Sequence, residues 1–292
     1  MTLALIFDKT RPDTTGVYVE RALRSLGVAV DHWWLRDAAR IPAGCELYLR
    51  VDHGDDYGVE LPARLRPAVF YAIDTHLAHS WRKIRRMARR YDAVFCCHRE
   101  GARRIPGAEW LPVACDREWH GQIVGSPVWD VAFAGTDGGV PRKFYLQALR
   151  ERYPNSFIGR ADHTRLASIY SCCQIGFNYS IANDVNMRIF EILAAGALLV
   201  TNALAGDDLH RLGLEDREHL ALYRSPRGLF DVIEHFLAHP DERERIARAG
   251  HALVMARHTY AHRMTRLLAH VAERLGVSIP STAKESVSCV SL

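Results

Sequence analysis

Residues 175–201 read IGFNYSIANDVNMRIFEILAAGALLVT, and this stretch decides the fold. Its two apolar ends, at 175–179 and 197–201, predict two buried strands. Between them, Asp184 is a residue type that begins helices, the following positions are mostly apolar, and Gly196 is a type that ends helices. A strand, a helix and a second strand in this order predict a parallel strand pair joined by a crossover helix.

The same alternation of apolar runs and amphipathic segments extends in both directions and forms two similar halves. Residues 114–128, ACDREWHGQIVGSPV, lose the periodicity and contain two glycines and a proline, as interdomain linkers do. We therefore predict an α/β protein with an N-terminal domain at 1–120, a C-terminal domain at 129–275 and a flexible serine-rich tail at 276–292. Two such domains enclose a cleft, and ligands bind beyond the carboxyl ends of parallel strands.

Composition narrows the class of protein. An apolar fraction of 48% and a charged fraction of 25% fit a globular domain and exclude disordered and fibrous chains. The N-terminus lacks a signal-peptide pattern, and the longest apolar run, 192–200, is about half of a membrane helix. Seven scattered cysteines do not form a disulfide framework. We expect a cytoplasmic protein whose net charge of +4 suits an anionic ligand.

The first candidate binding element is the glycine-rich loop in FAGTDGGVPRK, residues 133–143. Backbone amides from Gly135 onward can surround phosphate oxygens, and Arg142 and Lys143 can neutralise a diphosphate. The spacing matches neither the dinucleotide-binding fingerprint nor the P-loop. The alternative interpretation is an ordinary tight turn followed by two surface cations.

The second candidate element is the loop and helix that follow the strand ending at Asn178. The helix start near Asp184 and Asn186 offers free backbone amides to a phosphate. Arg188 and Glu191 fall on one face of a helix whose other positions are almost all apolar, and a carboxylate there needs a partner. The local alternative is an Arg188–Glu191 ion pair worth a few tenths of a kcal/mol.

The N-terminal half carries Asp74 and His76 directly after the predicted strand 68–73. An imidazole at this position can take a proton from an acceptor hydroxyl near neutral pH, and Asp74 can orient it. The alternative is a helix-capping aspartate beside a solvent-facing histidine. The nearby segment 82–90, RKIRRMARR, predicts an amphipathic basic helix. The main interpretation is that the charged face of this helix simply contacts solvent. The weaker alternatives are that it attracts an anionic acceptor or a membrane surface, and nucleic acid ranks last.

Several of these stretches together resemble the CgeB-like (spore maturation type) glycosyltransferases, a branch near glycosyltransferase family 4. The resemblance is carried by DVNMRIFEILAAGALLVTN at 184–202 and by DERERIARAGHALVMARHTYAHRM at 241–264. It extends to AIDTH at 72–76, YDAVFCCH at 91–98 and EWLPVACD at 109–116. It covers most of the chain between about 68 and 268.

The resemblance implies a GT-B fold, in which two Rossmann-like domains with parallel sheets face each other across a cleft. It also implies a nucleotide-diphosphate sugar donor and no obligatory metal or other cofactor. Glu191 matches the glutamate that binds the donor ribose in family 4, and Arg142 and Lys143 match the diphosphate clamp. Asn183 stands where family 4 carries a second glutamate, near the sugar. In the N-terminal half, His76 matches a histidine region of GT-B enzymes, and Gly16 belongs to a small-residue loop that closes on the substrates.

We therefore predict a hexosyltransferase-like enzyme that moves a sugar from a nucleotide-diphosphate sugar to a hydroxyl or amine of a small-molecule, glycan or protein acceptor. Cations would stabilise the leaving nucleotide diphosphate in place of a metal. Two alternatives stay open, a GT-B sugar-nucleotide epimerase and a non-catalytic nucleotide-sugar-binding module. The change to Asn183 supports the second of these.

Overall fold

The computed structural model describes residues 1–52 and 57–281 and consists of two α/β units. The strands are β1 (Thr2–Ile6), β2 (Ala29–Trp33), β3 (Leu47–Val51), β4 (Ala68–Ala72), β5 (Ala93–Cys96), β6 (Glu109–Trp110), β7 (Trp129–Ala134), β8 (Ser156–Gly159), β9 (Cys173–Asn178), β10 (Leu198–Asn202) and β11 (Ala221–Tyr223). The α-helices are α1 (Thr15–Ser25), α2 (Ala78–Ala88), α3 (Arg99–Arg104), α4 (Arg117–His120), α5 (Arg142–Arg152), α6 (Leu166–Ser171), α7 (Met187–Ala194), α8 (Asp208–Arg211), α9 (Pro226–Ala238), α10 (Pro240–Arg257) and α11 (Tyr260–Leu275). Two 3-10 helices span Leu35–Arg40 and His163–Arg165.

Each unit is built on one parallel sheet. Within the described residues, the first sheet has the strand order β2-β1-β3-β4-β5-β6, and the second has the order β11-β10-β9-β7-β8. Every residue of β3, β4 and β5 is buried, as expected for parallel strands that are covered on both faces. The parallel pairing of β9 with β10 around α7 confirms the strand–helix–strand prediction for residues 175–201.

The boundaries of the two units differ from the domain boundaries that the sequence predicts. The first unit contains residues 1–113 together with the segment from Tyr260 onward, and the second contains Ala114–Thr259. The predicted domains at 1–120 and 129–275 therefore differ from the structure, which places α4 in the second unit and α11 in the first. Of the predicted tail 276–292, residues 282–292 lie outside the described residues.

Contacts in the first unit explain why α11 lies there. The ring of Tyr260 stacks on that of Tyr18 in α1, with centroids 5.3 Å apart. Arg263 is 7% exposed and donates a hydrogen bond to the carbonyl oxygen of Pro112 at 2.8 Å. The helical periodicity of residues 260–275 predicts a helix correctly, but not the sheet against which its apolar side packs.

Helix α7 is fixed on two sides within the second unit. A side chain on Gly176 of β9 would collide with Ile192, so the helix lies directly against the strand at this glycine. At the carboxyl end of the helix, His251 Nδ1 of α10 donates a hydrogen bond to the Ala194 carbonyl oxygen at 2.9 Å. That oxygen belongs to the last turn, where carbonyl groups have no partner inside the helix. Helix α7 is therefore held in place by contacts with the core of the second unit.

Helix α7 begins two residues later than predicted. Its cap is Asn186 rather than Asp184, because the Asp184 amide donates to Ser180 Oγ at 2.7 Å and the backbone there forms a loop. Strand β6 comprises only Glu109 and Trp110, and Pro112, which cannot donate to a strand ladder, follows two residues later. No helix in the described parts of the chain is long and apolar enough to cross a membrane.

We predict that Tyr260→Ala lowers the free energy of unfolding by about 3–5 kcal/mol, because it removes a fully buried ring from its stack on Tyr18. Urea denaturation followed by circular dichroism measures this change. Glu273→Ala is the matched control on the exposed side of α11 and should change the unfolding free energy by less than about 0.5 kcal/mol. Equal midpoints for the two variants would contradict the packing described for α11.

Candidate functional site

The carboxyl end of β7 leads into a glycine-rich loop, and Arg142 is the first helical residue after it. The Arg142 side chain turns back onto the loop. Its Nε donates to the Asp137 carbonyl oxygen at 3.0 Å, and its Nη2 lies 3.5 Å from Thr136 Oγ1. Only 9% of the residue is exposed. The backbone of the loop thus holds one guanidinium group in a fixed place.

A second guanidinium group reaches the same loop from α7. Arg188 Nε donates to the Ala134 carbonyl oxygen at 3.1 Å, and its Nη1 donates to Asn178 Oδ1 at 3.3 Å. Asn178 is fully buried, and its amide nitrogen donates to Thr201 Oγ1 at 2.9 Å. Asn178 is therefore placed to orient Arg188 rather than to contact a ligand itself.

The two guanidinium groups lie over one aromatic ring. The Cζ atoms of Arg188 and Arg142 are 4.5 Å and 5.6 Å from the centre of the Phe133 ring. Neither group forms an ion pair with a carboxylate in the described parts of the chain. Burial, followed by the nearby charge of Arg188, lowers the pKa of Arg142. Two partly buried cations without a carboxylate partner form a site suited to an anion with two or more charges.

The loop glycines make room for these side chains. Gly135 and Gly138 have φ values of 149° and 60°, and a side chain on either would collide with the guanidinium group of Arg188 or Arg142, respectively. A side chain on Gly139, with φ at 79°, would meet only open space. The positions predicted as a phosphate cradle, Gly135 and Arg142, are thus brought together with Arg188. The side chain of Lys143, the next residue of the helix, is exposed.

The loop before α7 is closed by its own polar side chains. Ser180 Oγ donates to Asp184 Oδ1 at 2.7 Å, and Asn183 Oδ1 accepts from the Ala205 amide at 2.8 Å. The charges of Asp137 and Asp184 raise the pKa of Arg142 against the larger opposing effects of burial and of Arg188. The Asn186 side chain forms no capping bond, and its buried Oδ1 has no hydrogen-bond partner.

Glu191 is buried one turn beyond Arg188, but the two do not pair. The Glu191 carboxylate lies 3.9 Å from Nε2 of His120 in α4, and the residue is 7% exposed. The nearby Tyr170 hydroxyl accepts from the Ala134 amide at 3.0 Å, and burial raises its pKa. The charges of Arg188 and Glu191 act on that hydroxyl in opposite directions. The alternative of a local Arg188–Glu191 ion pair is therefore wrong.

A second polar cluster follows the strands of the first sheet. The Asp52 carboxylate, after β3, accepts from the amides of Ile73 and Asp74 at 3.1 Å each and from the Tyr57 hydroxyl at 3.0 Å. This fixes the turn that carries Asp74 and the exposed His76. Asp74 is not a helix cap, because α2 begins after Leu77.

His98, two residues after the end of β5, extends this cluster. Its ring centre lies 4.2 Å from that of His76, and its Nδ1 lies 3.1 Å from Thr75 Oγ1 and 2.9 Å from Cys97 Sγ. The rule that predicts Asp74 and His76 also applies to Asp52 and His98, since each follows a strand. Neither residue is among the predicted site residues, although this signal is present in the sequence.

Gly16 lies in the first turn of α1 rather than in a loop. A side chain at Gly16 would collide with the Phe7 ring, so the close approach that the glycine allows is made by the protein core. Among the described residues, no group of three or more His, Cys, Asp or Glu side chains is arranged to hold a metal ion.

We predict that Gly138→Ala weakens binding of inorganic pyrophosphate about tenfold or more, because the new methyl group displaces the Arg142 guanidinium. Gly139→Ala is the matched control, since it strains a similar backbone conformation without meeting a side chain. It should leave the dissociation constant within about twofold. Isothermal titration calorimetry measures both variants, and an equal loss in the two would contradict the anion site.

Comparisons with known proteins agree with this geometry. The family model described as glycosyl transferase-like matches residues 99–269, more than half of the chain. No curated protein sequence matches the chain. Among solved structures, the chain is similar to HepE from Anabaena in complex with UDP and glucose, with a TM-score of 0.69 at 12% identity over 93% of this chain and 99% of that one.

Two further solved structures have the same fold. Sucrose-phosphate synthase from Thermosynechococcus elongatus gives a TM-score of 0.64 at 13% identity over 93% of this chain and 99% of that one. BGT of T4 phage, in complex with its UDP-glucose substrate, gives 0.59 at 12% identity over all of both chains. The structural likenesses show the GT-B fold, and the family model shows that the chain belongs to the glycosyl transferase-like family, as a glycosyltransferase.

Proposed function

We propose that this glycosyltransferase uses a uridine-diphosphate sugar as its donor and binds it in the second unit. The observation that carries the proposal is the pair of guanidinium groups, Arg142 and Arg188, beside the glycine loop. Their two positive charges match a diphosphate, and UDP is named in the complexes of HepE and of BGT. No metal or other cofactor is part of this proposal, because the two guanidinium groups can stabilise the leaving diphosphate.

In this proposal Glu191 binds the ribose hydroxyls of the donor. Its carboxylate is on the same helix as Arg188, one turn further on, and a nucleoside attached to a diphosphate at Arg188 reaches about that far. The 3.9 Å separation from His120 leaves the carboxylate oxygens able to accept hydrogen bonds from two adjacent hydroxyls. In this arrangement the diphosphate site is supported by Asn178, Asp184 and Asn186.

The residues that would handle the acceptor are those of the first unit. We infer that His76 takes the proton of the acceptor hydroxyl or amine and that Asp74 orients the imidazole. His76 is exposed, as a group that meets an acceptor must be, and His98 lies against it. The acceptor itself is a small molecule, a glycan or a protein.

We also propose that the chain belongs to the CgeB-like branch. The support is the set of matching stretches and the residue at position 183. Asn183 has a left-handed backbone, with φ at 56°, and its side chain bonds to the Ala205 amide, so it serves the loop rather than the sugar. An increase in kcat on changing Asn183→Glu would count against this branch, since a family 4 glutamate would then be the missing group.

We predict that UDP and UDP-sugars raise the melting temperature more than the corresponding GDP, ADP and TDP compounds. At a concentration 100 times the dissociation constant, a ligand stabilises the folded state by about 2.7 kcal/mol. A thermal-shift screen measures this effect. A larger shift with another nucleotide would contradict the choice of uridine, and the absence of any shift would contradict the donor site.

We predict that Glu191→Gln removes most of the UDP-induced shift but leaves the binding of inorganic pyrophosphate unchanged. The amide cannot accept both ribose hydroxyls, whereas Arg142 and Arg188 keep their charge. Calorimetry with UDP and with pyrophosphate separates ribose recognition from diphosphate recognition. If the UDP shift persists, the ribose is bound elsewhere.

We predict that His76→Ala lowers the rate of transfer about 100-fold to 10,000-fold while UDP binding stays the same, because the general base is lost. His79→Ala is the control, an exposed histidine at the start of α2. Release of UDP from UDP-glucose with a panel of sugar and phenol acceptors gives the rates. Unchanged turnover in His76→Ala would exclude it as the base, and conversion of the donor without any acceptor would instead indicate an epimerase.

A further inference from the structure

A pocket of ≈ 520 Å³ opens at the edge of the first sheet where β5 and β6 begin. It lies between the end of α2 and the end of α3. Its apolar wall is formed by Ala88, Ile105 and Pro106. Asp74 and His76 follow the carboxyl end of β4, and His98 follows that of β5, which is parallel to β4. The pocket is therefore at the other edge of the sheet from the candidate acceptor residues.

Three arginines line this pocket: Arg85 in α2, Arg89 directly after it and Arg104 at the end of α3. All three are exposed, and none has an ion pair or a side-chain hydrogen bond to the described residues. The Arg104 guanidinium lies 4.2 Å from the centre of the Trp81 ring, which fixes its direction. Three arginines without an ion-pair partner among the described residues therefore line one cavity.

The two arginines at the end of α2 carry like charges close together. Arg89 caps the helix four residues after Arg85, and like charges at that spacing repel each other. The lining also contains one carboxylate, Asp92, whose Oδ2 accepts from the Ala68 amide at 2.7 Å and lies 3.4 Å from Arg66 Nη1. Because Arg66 neutralises Asp92, the pocket keeps its positive charge.

We propose that this pocket binds the phosphate group of a second ligand that takes no part in the sugar transfer. Guanidinium groups bind phosphate through paired hydrogen bonds, and three arginines line this cavity. The volume is that of pockets that hold a small organic molecule, and the apolar wall provides a surface for the part that carries the phosphate. The phosphate belongs to a free phosphorylated small molecule or to the headgroup of a lipid.

Two matched double variants test the pocket. Arg85→Gln with Arg104→Gln removes one lining charge from α2 and one from α3. Arg82→Gln with Arg103→Gln removes the same charge from the same two helices, at exposed positions outside the pocket. Thermal melting without ligand checks that both doubles fold. They should melt together, because all four side chains are on the surface.

The probe is inorganic pyrophosphate at constant ionic strength, titrated by calorimetry into full-length protein that carries Arg142→Gln and Arg188→Gln. These two changes remove the glycine-loop site, so the remaining binding reports the pocket. Adding the Arg85/Arg104 pair should weaken binding about tenfold or more, and adding the Arg82/Arg103 pair should change it less than about twofold. The absence of binding before either pair is added, or an equal loss with both, overturns the proposal.

Vesicle sedimentation separates the two sources of phosphate. A lipid headgroup is indicated if the protein sediments with vesicles of phosphatidylcholine and phosphatidylglycerol, but not with phosphatidylcholine alone, and only the Arg85/Arg104 double loses this binding. A free phosphorylated molecule is indicated if the two doubles differ in pyrophosphate binding but behave alike with vesicles. Equal losses in both assays would show only a diffuse basic surface and would refute the pocket.

Discussion

The candidate anion site of the second unit depends on two guanidinium groups that the protein holds close together despite their mutual repulsion. Arg142 and Arg188 share the Phe133 ring, and neither forms an ion pair with a described carboxylate. Partial burial strengthens the repulsion, because it lowers the effective dielectric constant between the charges. Backbone carbonyl groups, a buried asparagine and the glycine loop keep both groups in place at this cost. A dianionic diphosphate would relieve the repulsion, which gives the arrangement its chemical meaning.

In both units, the candidate site residues follow the carboxyl ends of parallel strands. In the second unit the glycine loop follows β7, and in the first Asp52, Asp74 and His98 follow three neighbouring strands. The strands end side by side, so residues far apart in the chain become neighbours. The Asp52 carboxylate shows how firmly such an edge can be held, since three donors converge on one of its oxygens. The basic pocket differs in kind because it is at the opposite edge of the first sheet.

Much of this could be predicted from the sequence, because parallel strands and crossover helices leave strong local patterns. The apolar runs define the strands, and Gly135, Arg142, Arg188 and Glu191 stand out as polar or small residues at strand ends and on a buried helix. Local patterns do not show which element each apolar or polar surface contacts. The periodicity of residues 260–275 predicts a helix but not its packing on α1, and the composition around Asp184 predicts a cap but not the competing bond to Ser180. His98 could have been predicted as a site residue because it follows the end of a strand. No local pattern indicates the contact between Glu191 and His120.

The contacts that hold α7 in place limit which substitutions this enzyme can accept. The helix is pressed on a glycine of β9 and held at its far end by His251, so it cannot slide or tilt without disturbing the core. Arg188 and Glu191 move only as far as that support allows. Substitutions at the exposed Ile181 and Phe144 should therefore be tolerated more readily than substitutions in the helix that carries the two charged side chains.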